Sequence, residues 1–376
     1  MTLFTNNDSA YEAARAMAQA GVNIVAIVDV RADVSGACIE IALAAGAELV
    51  WHYREGAVMG LTDVLASAGK LLRNLRACKA DIAAWQPDVV ILIDYPGFNM
   101  KIAKWCHARG IRVFYYIAPK TWASRAGRNR KLKAWVDRLF IVFPFEIPYF
   151  TERGIPFDYQ GNPLLDAVDA HTFRRPVEGR YVALLAGSRK GEISRMMPVC
   201  MAVADRLAAL PGWEGVRFVV AGAPARSEAD YAPYIAGRAN VDLLFGRTYD
   251  VLKYADAAVI NSGTASLEAA LIGVPQVVCW STSPFSAWVA RHILHVMDHV
   301  KYISLGNLCL DRLAFRELIQ EDFTAEAVTE EVRRLVEDTP YRERMLADYA
   351  DIRQSLGGSG ASRAVARAMI ERINQK

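Results

Sequence analysis

The chain has 376 residues, 53% of them hydrophobic, yet no apolar run approaches the roughly 18 residues that a membrane span requires. It does not open on a basic segment, an apolar core and a cleavage site, so no secretory signal is expected. Its six cysteines (Cys38, Cys78, Cys106, Cys200, Cys279 and Cys309) form no CxxC pair. That argues against a zinc ribbon or a disulfide scaffold and for free, buried thiols in a reducing, cytosolic compartment. A net charge of +3 is too small to imply a nucleic-acid partner. His292, His295 and His299 stand in RHILHVMDH, but the Glu that follows the first His in zinc proteases is missing. A half-exposed helix face is the expected reading there, with no metal.

The sequence does contain strand and helix patterns in alternation. Apolar strand candidates are Val22 to Val30, Val89 to Asp94, Val113 to Ile117, Arg138 to Val142, Val182 to Leu185, Arg217 to Ala221, Ala257 to Ile260 and Val274 to Cys279. Helical patterns such as Met100 to Arg109 and Ile193 to Leu210 separate them. This order means α/β architecture with parallel sheets wrapped by helices, and strands this apolar are expected to be covered on both faces. At about 150 residues per domain the chain is long enough for two. The alternation breaks between Gly161-Asn162-Pro163 and Pro176, where the boundary is expected. In such sheets ligands bind beyond the C-terminal strand ends.

Several of those strand ends carry chemistry. Asn261-Ser262-Gly263-Thr264 follows an apolar strand and precedes a helix with Glu268 about one turn in. Small residues let a ligand approach the backbone, and the free N–H groups of a helix start suit an anion. An ordinary strand-to-helix turn has equal weight on this segment alone. Asp94 ends VVILID before Tyr95-Pro96-Gly97; it can take a proton from an attacking hydroxyl or merely cap a helix. Gly187-Ser188-Arg189 precedes another helix. Arg189 can grip a diphosphate, whereas Glu192 can instead make a local cap. The turn at Gly222-Ala223-Pro224 can admit a flat base.

Two segments suit a membrane surface. Lys120, Arg125, Arg128, Arg130, Lys131 and Lys133 form a basic run without an acidic residue, flanked by Trp122 and Trp135. It is either a solvated helix face or an attractor for phosphates and anionic lipid. In the amphipathic stretch from Val58 to Leu75, Val58, Met59, Leu61, Leu65 and Leu72 supply the apolar side and Lys70, Arg73 and Arg76 fringe it. It either joins a core or dips into a bilayer surface.

Taken together, IDYPGFN, YYIAPKTWASRAGR, VFPFE, GNPLLD, LLAGSRKGEI, NSGTASLEAALIGVP and KYISLGNL followed by RELIQED resemble the lipid-A-disaccharide synthase family of Gram-negative bacteria over about residues 47 to 376. The resemblance implies an α/β GT-B glycosyltransferase fold, with two Rossmann-like doubly wound domains facing a central cleft. Residues 1–168 would form the acceptor and lipid side and 169–345 the UDP-sugar domain, with 346–376 a helical segment packing back across both. It implies an inverting transfer from UDP-2,3-diacylglucosamine to 2,3-diacylglucosamine 1-phosphate (lipid X), in lipid A biosynthesis, without cofactor or metal. Asp94 would be the general base and Arg189 the phosphate-binding arginine. Ser188, Gly222, Ser262, Gly263, Thr264, Glu268, Asn307, Glu317 and Gln320 would line the UDP donor. Val58, Met59, Leu61, Leu65, Leu72, Trp122, Arg125 and Arg128 would meet lipid. The enzyme would be cytoplasmic, peripheral on the inner membrane, with a homodimer among the expectations.

Residues 1–46 depart from the family, whose Gly-rich G-E-x-S-G-D loop is absent; Ser35-Gly36 is a faint echo of it. This stretch is instead similar to a segment of the sarcosine oxidase α subunit, through FTNNDSAYEAA and VNIVAIVDVRADVSGA. Two other readings stay open: a different UDP-sugar enzyme of the same fold, such as a 2-epimerase or another transferase, and an inactive chimera that only binds UDP or lipid.

Overall fold

A computed structural model describes residues 24–27, 68–123, 126–283 and 301–375. Val58, Met59, Leu61, Leu65, Arg125, Ser35-Gly36 and the histidines at 292, 295 and 299 lie outside the described residues. The chain divides into two compact units, one within 1–167 and 357–376, the other Val168–Leu356.

Unit 1 holds a parallel sheet in the order β1-β2-β3-β4-β5 (Ile24–Ile27, Val89–Ile93, Arg112–Tyr116, Arg138–Ile141, Phe157–Tyr159). Helices α1 (Ala68–Trp85), α2 (Pro96–His107), α3 (Arg128–Trp135) and α4 (Glu146–Glu152) alternate with the strands, and α5 (Pro163–Ala170) follows β5 and ends within unit 2. Side chains alternate across a strand. Val90 and Leu92 of β2, Val113 and Tyr115 of β3, and Leu139 and Ile141 of β4 therefore share one face. There they pack with Ile82, Ile102, Cys106 and Leu132 from the helices. The opposite positions, Val89, Ile91, Phe114 and Phe140, are buried as well. Both faces are covered, which is why these strands read as continuous apolar runs.

Unit 2 holds a second parallel sheet, in the order β11-β10-β9-β6-β7-β8. Its strands are β6 (Tyr181–Leu185), β7 (Arg217–Gly222), β8 (Val241–Phe245), β9 (Ala257–Asn261), β10 (Gln276–Trp280) and β11 (Glu317–Ile319). The chain builds outward from β6 through β7 to β8, then crosses back to β9 on the other side of β6. The direction of winding thus reverses between β6 and β9, the place where the loops after neighbouring strands diverge and open a crevice. The helices are α6 (Lys190–Ala208), α7 (Ala232–Ile235), α8 (Thr248–Lys253), α9 (Thr264–Ile272), α10 (Leu305–Leu310), α11 (Ala325–Glu337) and α12 (Thr339–Ser355). Cys200 of α6 and Cys279 of β10 are buried thiols, and burial pushes Cys200 up to about 12. None of the helices described is long and apolar enough to cross a membrane.

The last helix, α13 (Ala361–Asn374), belongs to unit 1. Gly357 and Gly360, at φ +90° and +97°, supply the left-handed turn that takes the chain there. Asp166 then accepts from Gly360 N (2.5 Å), Ser362 N (2.9 Å) and Ser362 Oγ (2.6 Å). At the other end Asp158 grips two guanidinium groups, Arg138 at 2.6 and 3.0 Å and Arg372 at 3.1 and 2.8 Å. Burial opposes the charge on Asp158, but the two arginines more than offset it and hold the carboxyl below its ordinary range. Asp158→Ala is therefore expected to lower the unfolding free energy in urea by about 2 kcal/mol, the scale of hydrogen bonds to charged groups. Arg333→Ala, on an exposed pair with Glu330 and Glu337, should leave it unchanged within the error of the measurement.

Candidate functional site

At the switch point of unit 2, the turn after β6 and the end of β9 meet. Gly187 sits at φ +91°, and a Cβ there would lie 2.6 Å from Glu192 Oε2 and 2.7 Å from Asn261 Nδ2. Only glycine fits that position. Glu192, in the first turn of α6, accepts from Ser188 N (3.0 Å) and Arg189 N (3.2 Å), and its other oxygen pairs with Arg189 Nη1 at 2.8 Å. The local cap weighed against phosphate binding is thus formed. Arg189 still exposes 56% of its side chain, and an i,i+3 pair this open is a weak restraint on the guanidinium.

The turn after β9 is built to keep its backbone open. Ser262 N donates to Cys279 O (2.8 Å) and Ser262 Oγ to Ile303 O (3.3 Å), which anchors the loop from behind. Gly263 and Thr264 are exposed, and α9 starts at Thr264 without a side-chain cap. Glu268 is half-buried and accepts from the Tyr249 hydroxyl at 2.9 Å. Beyond β7, a side chain on Gly222 would overlap the Phe245 ring at the end of β8. Phe245 is exposed, Tyr231 packs against its edge, and the Tyr231 hydroxyl accepts from Ala223 N. Gly222 therefore borders an aromatic surface at the C-terminal edge of the sheet.

Asn307 and Glu317, expected beside the donor, are both tied into the backbone. Asn307 is fully buried; its amide nitrogen donates to Phe315 O and to Glu317, while its oxygen accepts from Ala314 N and Phe315 N. Glu317 also accepts from Ile303 N (2.9 Å), Ser304 N (3.0 Å) and the Ser304 hydroxyl. Both side chains hold the start of α10 to β11. Gln320, in the left-handed region at φ +52°, accepts from Thr282 N at 2.5 Å and ties β11 to the loop after β10.

In unit 1, Asp94 and Tyr95 follow β2 with φ of +44° and +41°. Consecutive left-handed non-glycine residues are strained and persist only where their surroundings fix them. Here Asp94 N donates to Tyr116 O (3.0 Å), and Asp94 O accepts from Asn99 Nδ2 (2.8 Å) and the Tyr115 hydroxyl (2.5 Å). The backbone of Asp94 is locked from three sides, and its side chain is half-buried at the strand terminus.

The motif-bearing loops beside it converge on Glu146, the last residue of VFPFE. Glu146 is 1% exposed. It accepts from Val142 N (3.2 Å), Phe143 N (3.1 Å) and Trp122 Nε1 (3.3 Å). Asn162 donates to Val142 O, which adds the GNPLLD segment. The Trp122 ring packs on Phe145, which stacks on Phe143, so Trp122 is held inward by its N–H. Leu72 is 53% exposed on α1, beside exposed Arg73 and Arg76. Arg128 is half-buried, whereas Arg130, Lys131 and Lys133 of α3 are exposed. Lys104 and Lys131 both stand over the Trp135 ring. Among the described residues no group of His, Cys, Asp and Glu is arranged to hold a metal.

Burial pushes the Glu146 carboxyl from 4.5 up to about 7, although the Phe143 and Val142 amides, Trp122 and Lys120 favour its ionised form. A carboxyl raised on folding favours the folded state below its unfolded value, and that benefit is lost as pH rises through the folded value. Glu146→Gln removes the titration. Its stability relative to the parent should therefore improve between about pH 5 and about pH 8, by roughly 3 kcal/mol. Urea unfolding at both pH values measures this; a pH-independent difference would contradict the buried, titrating carboxyl.

A family model described as lipid-A-disaccharide synthetase matches residues 28–369. A lipid-A-disaccharide synthase of Geobacter metallireducens is 37% identical over 342 residues, covering 89% of this chain and 88% of that one. The Myxococcus xanthus lipid-A-disaccharide synthase is 38% identical over 337 residues, covering 87% and 86%. Among solved structures, a UDP-GlcNAc 2-epimerase from Neisseria meningitidis aligns with TM-score 0.62 at 13% identity, over 98% of this chain and 98% of that chain. The calicheamicin glycosyltransferase CalG4 aligns with TM-score 0.56 at 18% identity, over 98% and 95%. The fold is of the GT-B glycosyltransferase class, and the chain belongs to the lipid-A-disaccharide synthase family, glycosyltransferases of lipid A biosynthesis.

Proposed function

We propose that the chain joins UDP-2,3-diacylglucosamine to 2,3-diacylglucosamine 1-phosphate, releasing UDP and a β-1,6-linked disaccharide phosphate. The observation that carries the donor half is the reversal of winding between β6 and β9, with small residues and an arginine on the two loops that border it. In this reading Ser188 and Arg189 meet the diphosphate, and the open backbone at Ser262, Gly263 and Thr264 lies along it. Glu268 accepts from the ribose hydroxyls, and Gly222 with Phe245 receives the flat base. Asn307, Glu317 and Gln320 keep the neighbouring loops in place.

The acceptor half rests on Asp94. Its carboxylate takes the proton of the acceptor 6-hydroxyl as that oxygen attacks the anomeric carbon of the donor. The bond from that carbon to the diphosphate oxygen breaks, and UDP leaves with the electron pair. One displacement inverts the anomeric centre. Charge that develops on the leaving diphosphate is met by Arg189 and by backbone N–H groups already oriented before the reaction. The acylated substrates are reached at the cytoplasmic face of the inner membrane, where exposed Leu72 and the cations of α3 suit an anionic lipid surface.

UDP release should require both acylated sugars together. Release from the donor alone, or turnover of a non-acylated UDP-sugar without acceptor, would overturn the reading. Asp94→Ala should cut kcat by about 100-fold or more, the scale of general base catalysis, and leave UDP affinity within about two-fold, because a base on the acceptor side does not touch UDP. A large loss of UDP binding would contradict that role. Arg189→Ala should weaken UDP binding and rate together, and unchanged affinity would remove it from the diphosphate.

A further inference from the structure

Glu268 does not stand alone on its helix. Its Oε1 accepts from the hydroxyl of Tyr249 at 2.9 Å, and Tyr249 lies on α8, outside the loop motif that forms the proposed donor site. α8 packs on α9 and is itself pinned in place. Asp250, the residue after Tyr249, accepts from Arg174 N (2.9 Å), His171 Nε2 (3.1 Å), Arg247 Nε (2.9 Å) and Arg247 Nη2 (2.8 Å). Burial would raise the Asp250 carboxyl, but these donors and the Arg247 charge hold it below its ordinary range. The Tyr249 ring packs against the edge of His171, with centroids 5.3 Å apart at 74°. Tyr249 therefore approaches Glu268 from a rigid base.

This arrangement has a chemical consequence at Glu268. A phenol that donates to Oε1 fixes the torsions of a side chain that otherwise samples several rotamers, so less ordering entropy is lost on binding. A carboxylate held in this way offers only acceptor oxygens. Such a group recognises hydroxyl donors, and the 2′ and 3′ hydroxyls of a ribose supply a matched pair.

We propose that Tyr249 is a positioning residue for nucleotide binding: its hydroxyl holds the Glu268 carboxylate in the orientation that accepts the ribose diol of the UDP moiety. The proposal rests on the reading of Glu268 as the ribose-binding residue. Tyr249→Phe removes the hydroxyl and keeps the ring against His171, so the pinned α8 is preserved.

The test is calorimetric titration of UDP and of 2′-deoxy-UDP into the parent protein, Tyr249→Phe, Glu268→Gln and the double variant, with thermal unfolding of each as a fold control. Tyr249→Phe is expected to weaken UDP binding about ten-fold, the scale of one hydrogen bond to a charged group. It should also narrow the preference for UDP over 2′-deoxy-UDP. Because Tyr249 acts through Glu268, the double variant should bind UDP no more weakly than Glu268→Gln alone. If Glu268→Gln weakens UDP binding but Tyr249→Phe binds like the parent, or if the two losses add, the positioning role is overturned and the donor reading stands. If Glu268→Gln leaves UDP affinity unchanged, the ribose assignment falls and the positioning role falls with it.

Discussion

Parallel strands covered on both faces confine chemistry to their ends. In each sheet the strand interiors are packed with apolar side chains, and a polar group placed there would lose its water without gaining a partner. Only where a strand gives way to a helix does the backbone expose N–H groups and leave room for a ligand. Asp94, Gly222 and Ser262 sit at or just beyond the C-terminal end of a strand, Arg189 lies in the turn that follows β6, and Glu268 lies in the helix that follows β9. The reversal of winding between β6 and β9 then singles out one such edge of unit 2.

A second regularity concerns how those strand ends are held. At several turns a buried or half-buried carboxylate accepts from two nearby backbone N–H groups. Glu192 does so at Ser188 and Arg189, Glu317 at Ile303 and Ser304, Glu146 at Val142 and Phe143, and Asp166 at Gly360 and Ser362. These bonds satisfy donors that the sheets and helices leave over. They also immobilise the loops at their bases, so that exposed residues such as Gly263 and Thr264 sit on fixed supports. Several acidic residues of the motifs thus hold the loops themselves.

That division of labour explains what could be read from the sequence. The central strands were legible because burial on both faces writes a continuous apolar run. β5, β8 and β11 were not among the strand candidates: FDY, VDLLF and ELI are partly exposed and interrupted by acidic residues, and edge strands need no unbroken run. The turns after β2, β6 and β9 stood out through glycine, proline and small residues. Asn307 and Glu317 stand out as motif residues expected beside the donor, but a sequence does not show which polar side chains the backbone has claimed. Tyr249 carried no local signal, and Glu146 only its place in VFPFE. Their significance lies in contacts to Glu268 and Trp122, 19 and 24 residues away along the chain, which only the fold brings together.

The central claim is that the nucleotide is held at the strand ends of unit 2 around the reversal of winding, while Asp94 serves the acceptor. Hydrogen–deuterium exchange of the full chain, with and without saturating UDP, tests this most directly. The account predicts slowed exchange at residues 187–192, 222–226 and 262–268, with residues 94–99 unchanged. Slowed exchange at 94–99 with no change at 187–192 and 262–268 would contradict it.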